Sequence, residues 1–329
     1  MELNDTLRDI AKKLLEEGRV DAVLGFRQSS LAHMTEPFLA TTAEQADQLV
    51  FNSCCRMNLA VYLTPDLFRS GRPESGKKSP RVAVTAKGCD SRNIVTQIQE
   101  NRYKRDQVHI IGLPCTGMAD KAKLLAAAPE GIDTITEKNG TLILSRDGKE
   151  TVVSKTEVLQ SNCLSCIIRN PVIRDEMAGD PVPELDMDSH PDRFADVAEI
   201  EALSPADKAG FFETLVSDCT RCYACRNACP LCYCPVCFVD ESRPQWVGKT
   251  IAPTDVMAFH LLRAFHDAGR CTDCGACEAA CPMDIPMRAF TRKTIKDARE
   301  GFGWETGMDL NLRPPLDRFD LKDPGDFIR

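Results

Sequence analysis

No apolar stretch of this chain approaches the roughly 20 residues that a membrane-crossing helix needs, which excludes a direct membrane span. Lysine and arginine nowhere cluster, and the formal net charge is -8; an acidic surface without a basic patch argues against a nucleic-acid partner. There is no GxGxxG turn after a strand and no P-loop, so no nucleotide-fold cofactor is demanded. The 5 histidines, His33, His109, His190, His260 and His266, lack zinc-protease spacing, and none receives a catalytic role. The opening MELNDTLRDIAKKLLEEG is a charged amphipathic pattern with no apolar signal core. That points to reduced thiols in the cytoplasm rather than to a disulfide framework.

Against these absences stand 17 cysteines. Cys219, Cys222, Cys225 and Cys229 precede Pro230, and Cys271, Cys274, Cys277 and Cys281 precede Pro282. Each run reads CxxCxxCxxxCP, the ligand spacing of a bacterial two-cluster ferredoxin. The short gaps let three thiolates cup one face of an iron-sulfur cube, while the fourth is carried along a helical turn to the other cluster. The spacing therefore assigns Cys219, Cys222, Cys225 and Cys281 to one 4Fe-4S cluster, and Cys271, Cys274, Cys277 and Cys229 to a second. Two structural zinc sites would need only paired CxxC units, with no third cysteine or trailing Cys-Pro at matched offsets.

The 329 residues allow about two to three domains. Apolar residues recur at helical spacing over 4–17, Gly18 is placed to stop that helix, and 20–25 reads as a strand. Three apolar runs, 49–51, 82–86 and 108–113, each end with cysteine close behind: Cys54 and Cys55, Cys89, and Cys115. Helical spacing of Ile94, Val95 and Ile98 between the last two completes a βαβ unit. Its strands are parallel, so cysteines gather beyond their carboxyl ends, where open α/β sheets bind ligands. Residues 141–145 and 150–153 flank an Asp-Gly turn and read as a protruding hairpin.

The expected fold is α/β, in the mixed α+β sense, with a parallel βαβ core, followed by a two-cluster ferredoxin-like domain with an inserted helical segment. The expected boundaries are 1–180 for the α/β domain, 181–209 for a linker rich in proline and aspartate at its start, and 210–297 for the ferredoxin module. An insertion at 231–270 separates the two cysteine runs, and 298–329 forms a C-terminal arm, packed or disordered.

The cysteines outside the ferredoxin runs are Cys54, Cys55, Cys89, Cys115, Cys163, Cys166, Cys232, Cys234 and Cys237. Any one of them alone reads as a small buried hydrophobe. The CxxC of Cys163 and Cys166, with Cys89 and Cys115 at the sheet edge, supplies four thiolates for a third 4Fe-4S cluster, with Cys54 or Cys55 as alternates. Cys232, Cys234 and Cys237 offer a further metal site, zinc included, or exchange with Cys229. Vicinal Cys54 and Cys55 do not match the cysteine-rich repeats of heterodisulfide reductases, because Arg56 stands where glycine is expected and no CxxC follows at the usual distance.

GRVDAVLG from Gly18, KGCDSRNIV from Lys87, VHIIGLPC ending at Cys115 and CLSCIIRNP from Cys163 together resemble the beta-subunit family of coenzyme F420 hydrogenase and formate dehydrogenase. The resemblance covers most of the chain. It implies an α/β domain that binds FAD beside iron-sulfur clusters, with a hydride exchanged between flavin and deazaflavin. Electrons then leave singly towards a hydrogenase, formate dehydrogenase or heterodisulfide-reductase-like flavoprotein in a larger redox complex. Two features depart from those subunits: the ferredoxin module follows the α/β domain, and cysteine crowds the sheet edge where the flavin would lie. The preferred expectation is therefore an electron-transfer subunit that turns over no substrate alone. The alternatives are an FAD-containing subunit that splits a hydride from F420 or a similar donor, and an iron-sulfur redox sensor. The sequence contains no helix-turn-helix or other output element that a sensor would need.

Overall fold

The computed structural model describes residues 2–68, 80–185, 193–318 and 321. The chain divides into two compact units, residues 1–190 and 191–329. In the first, α1 (Leu3–Glu16) buries Leu7, Ala11 and Leu14, a one-face stripe at helical spacing. Gly18, at φ 62°, ends it in the left-handed conformation that favours glycine there. The elements that follow are β1 (Ala22–Gln28), β2 (Thr35–Ala40), α2 (Ala43–Ala46), β3 (Val82–Ala86), α3 (Gly88–Gln99) and β4 (Val108–Gly112). After them come α4 (Lys121–Ala127), β5 (Thr134–Lys138), β6 (Thr141–Arg146), β7 (Lys149–Ser154), α5 (Ser161–Leu164) and β8 (Glu176–Met177).

The main sheet has the order β2-β1-β3-β4-β8. β1, β3, β4 and β8 are parallel, β2 pairs antiparallel with β1, and β3 runs against β4 from Val82↔Val108 to Ala86↔Gly112. Successive side chains point to opposite faces. Val23, Ala83 and Ile111 pack with Leu7, Ala11 and Leu14 of α1, whereas Leu24, Val84 and Ile110 pack with Ile94 of α3. With both faces covered, β3 is buried along its whole length, as parallel strands between helices are.

Residues 49–51 do not form the strand expected of them. Leu49 makes only an isolated antiparallel bridge to Arg27, and its side chain plugs the α1 side of the core. Cys54 and Cys55 therefore do not follow a strand of the parallel set. A second sheet, β5-β6-β7, contains the expected hairpin. Asp147 and Gly148 occupy its turn at φ 49° and 76°, the left-handed pair that a two-residue hairpin loop requires. This sheet buries Leu142 and Leu144 on one face.

The second unit is helical: α6 (Ala195–Ala202), α7 (Pro205–Leu215), α8 (Ala224–Asn227), α9 (Pro253–His266), α10 (Ala276–Ala279) and α11 (Arg288–Phe302). The second half of the span expected as a linker is thus folded as α6 and the start of α7. The bonds tying it down are the bidentate pairs of Arg292 with Asp196 and of Arg193 with Glu305, at 2.8 and 2.9 Å. Part of the expected arm is packed as well: Trp304 is buried and donates its indole N–H to the Gly269 carbonyl at 2.8 Å. Linker residues 186–192, His190 among them, and arm residues 319–320 and 322–329 lie outside the described residues. Among the described residues, no helix is long and apolar enough to cross a membrane.

Candidate iron-sulfur sites

The two ferredoxin-type runs open on the same backbone. CTRCYAC from Cys219 and CTDCGAC from Cys271 each place two residues in the left-handed region: Arg221 (54°) and Tyr223 (60°) in the first, Asp273 (58°) and Gly275 (73°) in the second. Three of the four are not glycine, and each such residue costs about 1–2 kcal/mol. Alternating ordinary and left-handed backbone turns successive N–H groups into one concavity, a nest for anions, and iron-sulfur sites use it. A four-residue helix, α8 or α10, then carries the chain to the Cys-Pro that closes each run.

The fourth cysteine of each run lies with the first three of the other. Cys219, Cys222, Cys225 and Cys281 line one cavity, closed by Phe259, Ile285 and Met287. Burial, then Cys281 and Cys222, raise the Cys219 thiol; burial, then Cys219 and Cys281, push Cys225 up to about 11. On the other side, Cys271 is raised by burial and by Asp267, Asp273 and Cys274. Cys277 is raised by burial and, against Arg263, by Glu278, Cys274 and Cys229. Thiols this reluctant to ionise need a metal in place of the proton to become thiolates.

Among the described residues, the group of three metal-ligating atoms within 4.8 Å of one another is Cys229, Cys232 and Asp267. Neither ferredoxin foursome closes to that spacing, which is what four ligands on four different irons require and four ligands on one tetrahedral zinc do not. Cys232 donates its thiol hydrogen bond to Cys229; that bond lowers the Cys229 pKa against its burial, and Cys232 is strongly raised. The expected trio of Cys232, Cys234 and Cys237 is not gathered: Cys234 is exposed, and Cys237 bonds to Arg226, which also holds Asp240 at 2.8 Å.

Two buried guanidinium nitrogens, Nε of Arg221 and Nε of Arg263, have no hydrogen-bond partner. Leaving a buried donor unpaired costs about 1–3 kcal/mol. Arg221 acts on Cys219, and Arg263 acts on Cys229, Cys277 and Cys232 and on Cys225. Buried, unpaired donors whose charge reaches the cysteines are what a sulfur-rich acceptor would satisfy, so the residues present fit an iron-sulfur cluster. His260, 3% exposed, brings Nε2 to 3.4 Å from Cys219 Sγ. Burial, then Arg263 and Arg221, lower its pKa to about 4, so the ring is neutral.

In the first unit, Cys115, Cys163 and Cys166 come together. Burial, then Cys115 and Cys166, push Cys163 up to about 12. Its sulfur accepts from the Met118 N–H at 3.2 Å, and the Cys115 sulfur accepts from the Gly117 N–H at 3.4 Å. Cys89 sits in the first turn of α3, at the carboxyl end of β3. A side chain on Gly88 would collide with the Ile168 carbonyl, so glycine there lets the chain after Cys166 close onto the turn carrying Cys89.

Lys87 is fully buried between these groups, with Nζ 2.8 Å from Asp90 Oδ2, 3.0 Å from the Met57 carbonyl and 5.2 Å from the Phe26 ring centre. Burial works against its charge, yet Asp90, Cys89 and Cys115 raise its pKa. Cys54 and Cys55 are buried but have other neighbours. Cys54 lies near Arg56, Glu137 and Lys155, and Cys55 near Asn52, with burial pushing it up to about 11. Sequence reasoning gave His260 no catalytic role and passed over Arg263 and Arg221. The one available signal was the spacing of His260 and Arg263, three residues apart in a segment with helical periodicity.

Residues 262–283, which contain the second cysteine run, match the family described as a 4Fe-4S binding domain. The F420-dependent formate dehydrogenase subunit beta of Methanocaldococcus jannaschii is 25% identical over 360 residues, covering 93% of this chain and 92% of that one. The F420-dependent formate dehydrogenase 1 subunit beta of Methanococcus maripaludis is 24% identical over 365 residues, covering 93% and 91%. Among solved structures, a chain of the F420-reducing [NiFe] hydrogenase complex from Methanosarcina barkeri aligns with a TM-score of 0.38 and 14% identity, over 66% of this chain and 86% of that one.

The cysteine-rich helical unit and the matched domain make this an iron-sulfur protein of the electron-transfer class. Over most of its length the chain is similar to the beta subunits of F420-dependent formate dehydrogenases, and it carries a 4Fe-4S binding module.

Proposed function

We propose that the chain holds two ferredoxin-type 4Fe-4S clusters in its second unit and a third in its first, and that it serves as a one-electron relay to a catalytic partner. Cys219, Cys222, Cys225 and Cys281 hold one cluster; Cys271, Cys274, Cys277 and Cys229 hold the next; Cys89, Cys115, Cys163 and Cys166 hold the third. The observation that carries this reading is the exchange of fourth cysteines between two runs of matching left-handed backbone. A 4Fe-4S cluster supplies single-electron exchange at a potential set by charge, hydrogen bonds to sulfur and burial. The protein's part is to bury the thiols, aim the nests and exclude water. The partner is the catalytic dehydrogenase, hydrogenase or heterodisulfide-reductase-like flavoprotein of the complex.

The names of the relatives favour one further reading. F420-dependent enzymes of this family handle a two-electron hydride, so a flavin in the first unit would split the pair into single electrons. The sheet edge at β3 and β4 weighs against it, because the half-buried thiols of Cys89 and Cys115 and the buried Lys87–Asp90 pair stand at that edge.

Iron, sulfide and released flavin, quantified per chain after anaerobic purification, test both readings. About twelve irons without flavin are expected. About eight irons would remove the third cluster, stoichiometric FAD would move the function to hydride splitting, and fewer than about eight would overturn the ferredoxin pair.

A further inference from the structure

Helix α9 lies inside the insertion at 231–270 that a compact ferredoxin does without, and its buried face carries His260 and Arg263 into the cysteine cradle. Three residues apart, they share one side of the helix. His260 Nε2 is 3.4 Å from Cys219 Sγ, and its ring is fixed by Phe290 (5.4 Å, 14° between planes) and Phe259 (4.9 Å). A ligating thiolate has no proton to give, so the hydrogen between them belongs to the imidazole. Arg263 is 5% exposed. Its Nε is unpaired, and its Nη2 approaches Asp267 Oδ2 only to 3.7 Å. Its charge acts on Cys225 of one ligand set and on Cys229 and Cys277 of the other. The second cation beside Cys219, Arg221, donates instead to the carbonyls of Gly248 and Thr250, at 2.6 and 2.5 Å.

We infer that α9 sets the reduction potentials of the ferredoxin pair: Arg263, shared between the ligand sets, raises both, and the His260 N–H to Cys219 raises only the cluster held by Cys219. Both are positioning residues. The inference rests on the two-cluster reading. Reduction adds one electron to a cluster and one negative charge to a poorly screened site, so a buried cation or an N–H aimed at sulfur favours the reduced state. Asp267 offsets part of this on one side only, because it lies by Cys229, Cys232 and Cys271. The arrangement thereby makes the two potentials unequal, with the Cys219 cluster the better electron acceptor. In a relay, that gives electrons a preferred resting place.

The test is a redox titration of the whole chain, purified anaerobically and followed by electron paramagnetic resonance, with Cys222→Ser and Cys274→Ser identifying which signal belongs to which cluster. His260→Leu is expected to make the Cys219 cluster alone harder to reduce, by about tenfold in its electron equilibrium with the other, or about 59 mV. His260→Gln, which keeps an N–H donor, should recover part of that shift. Arg263→Gln should move both potentials down, and Arg263→Lys should restore them. Full iron content with unmoved potentials in His260→Leu would overturn the inference, as would equal shifts of both clusters. If Arg263→Gln fails to fold, the His260 pair still decides. A native chain without two separable cluster signals would overturn the two-cluster reading itself.

Discussion

At the scale of single residues, Asp273 holds the second cysteine run in shape. It occupies a left-handed position between Cys271 and Cys274, takes two bonds from Arg288 at 2.6 and 2.8 Å, and takes a third from Arg292 at 2.6 Å. Burial works against its charge, but Arg288, Arg292 and Arg193 hold its carboxyl well below the usual carboxylate range. Asp273→Asn removes the anion that Arg288 and Arg292 share while leaving them Glu278 and Asp196 as partners, a change that costs about 1–3 kcal/mol. The folded pKa is depressed, so this contribution is complete above the unfolded value of about 3.9 and fades only as the pH falls below it. Urea melts of the native chain and Asp273→Asn should therefore differ by the same amount at pH 7 and pH 5; a gap that closes over that interval would assign the effect to another group. The cysteines were readable from the sequence because a cube fixes their spacing. Asp273, Arg263 and Lys87 were not, because a charge that will be buried looks in sequence like any surface charge.

At the scale of elements, β3, α3 and β4 were legible because their periods change cleanly from strand to helix and back. β2 was not: Pro37 sits inside it, which an edge strand tolerates, and it pairs with β1 alone. β8 is two residues long and leaves no periodic signal. Residues 49–51 misled for the opposite reason, since Leu49 is apolar in order to plug a gap against Gly25 and not to join a ladder. The element most exposed to a single change is the first turn of α3. A methyl group on Gly88 meets the carbonyl of Ile168 and, at 3.0 Å, that of Asn170, and backbone cannot swing aside as a side chain does. Gly88→Ala should cost about 1–3 kcal/mol and push the chain after Cys166 away from Cys89. Iron content should fall by about four per chain while both ferredoxin signals persist. Undiminished iron in a folded Gly88→Ala protein would mean that Cys89 and Cys166 do not share a cluster.

At the scale of the whole molecule, the order of an α/β unit followed by a cysteine-rich helical unit was readable, because periodic strands stop before the ferredoxin runs begin. The boundary was not, because proline and aspartate marked a linker only as far as the point where α6 starts. Each unit has a core of its own: strands against α1 and α3 in the first, and α9 against Phe212 and Phe290 in the second. Changes in separate cores are expected to add without coupling. Cys163→Ser with Cys166→Ser should remove about four irons and leave the potentials of the ferredoxin pair where they were. Cys274→Ser should remove one ferredoxin signal and leave the first unit loaded, and the combined variant should lose the sum. The comparison needs iron analysis and paramagnetic resonance on the same anaerobic samples. Should Cys274→Ser also empty the first unit, the units do not load independently, and assembly of the clusters would have to be cooperative along the chain.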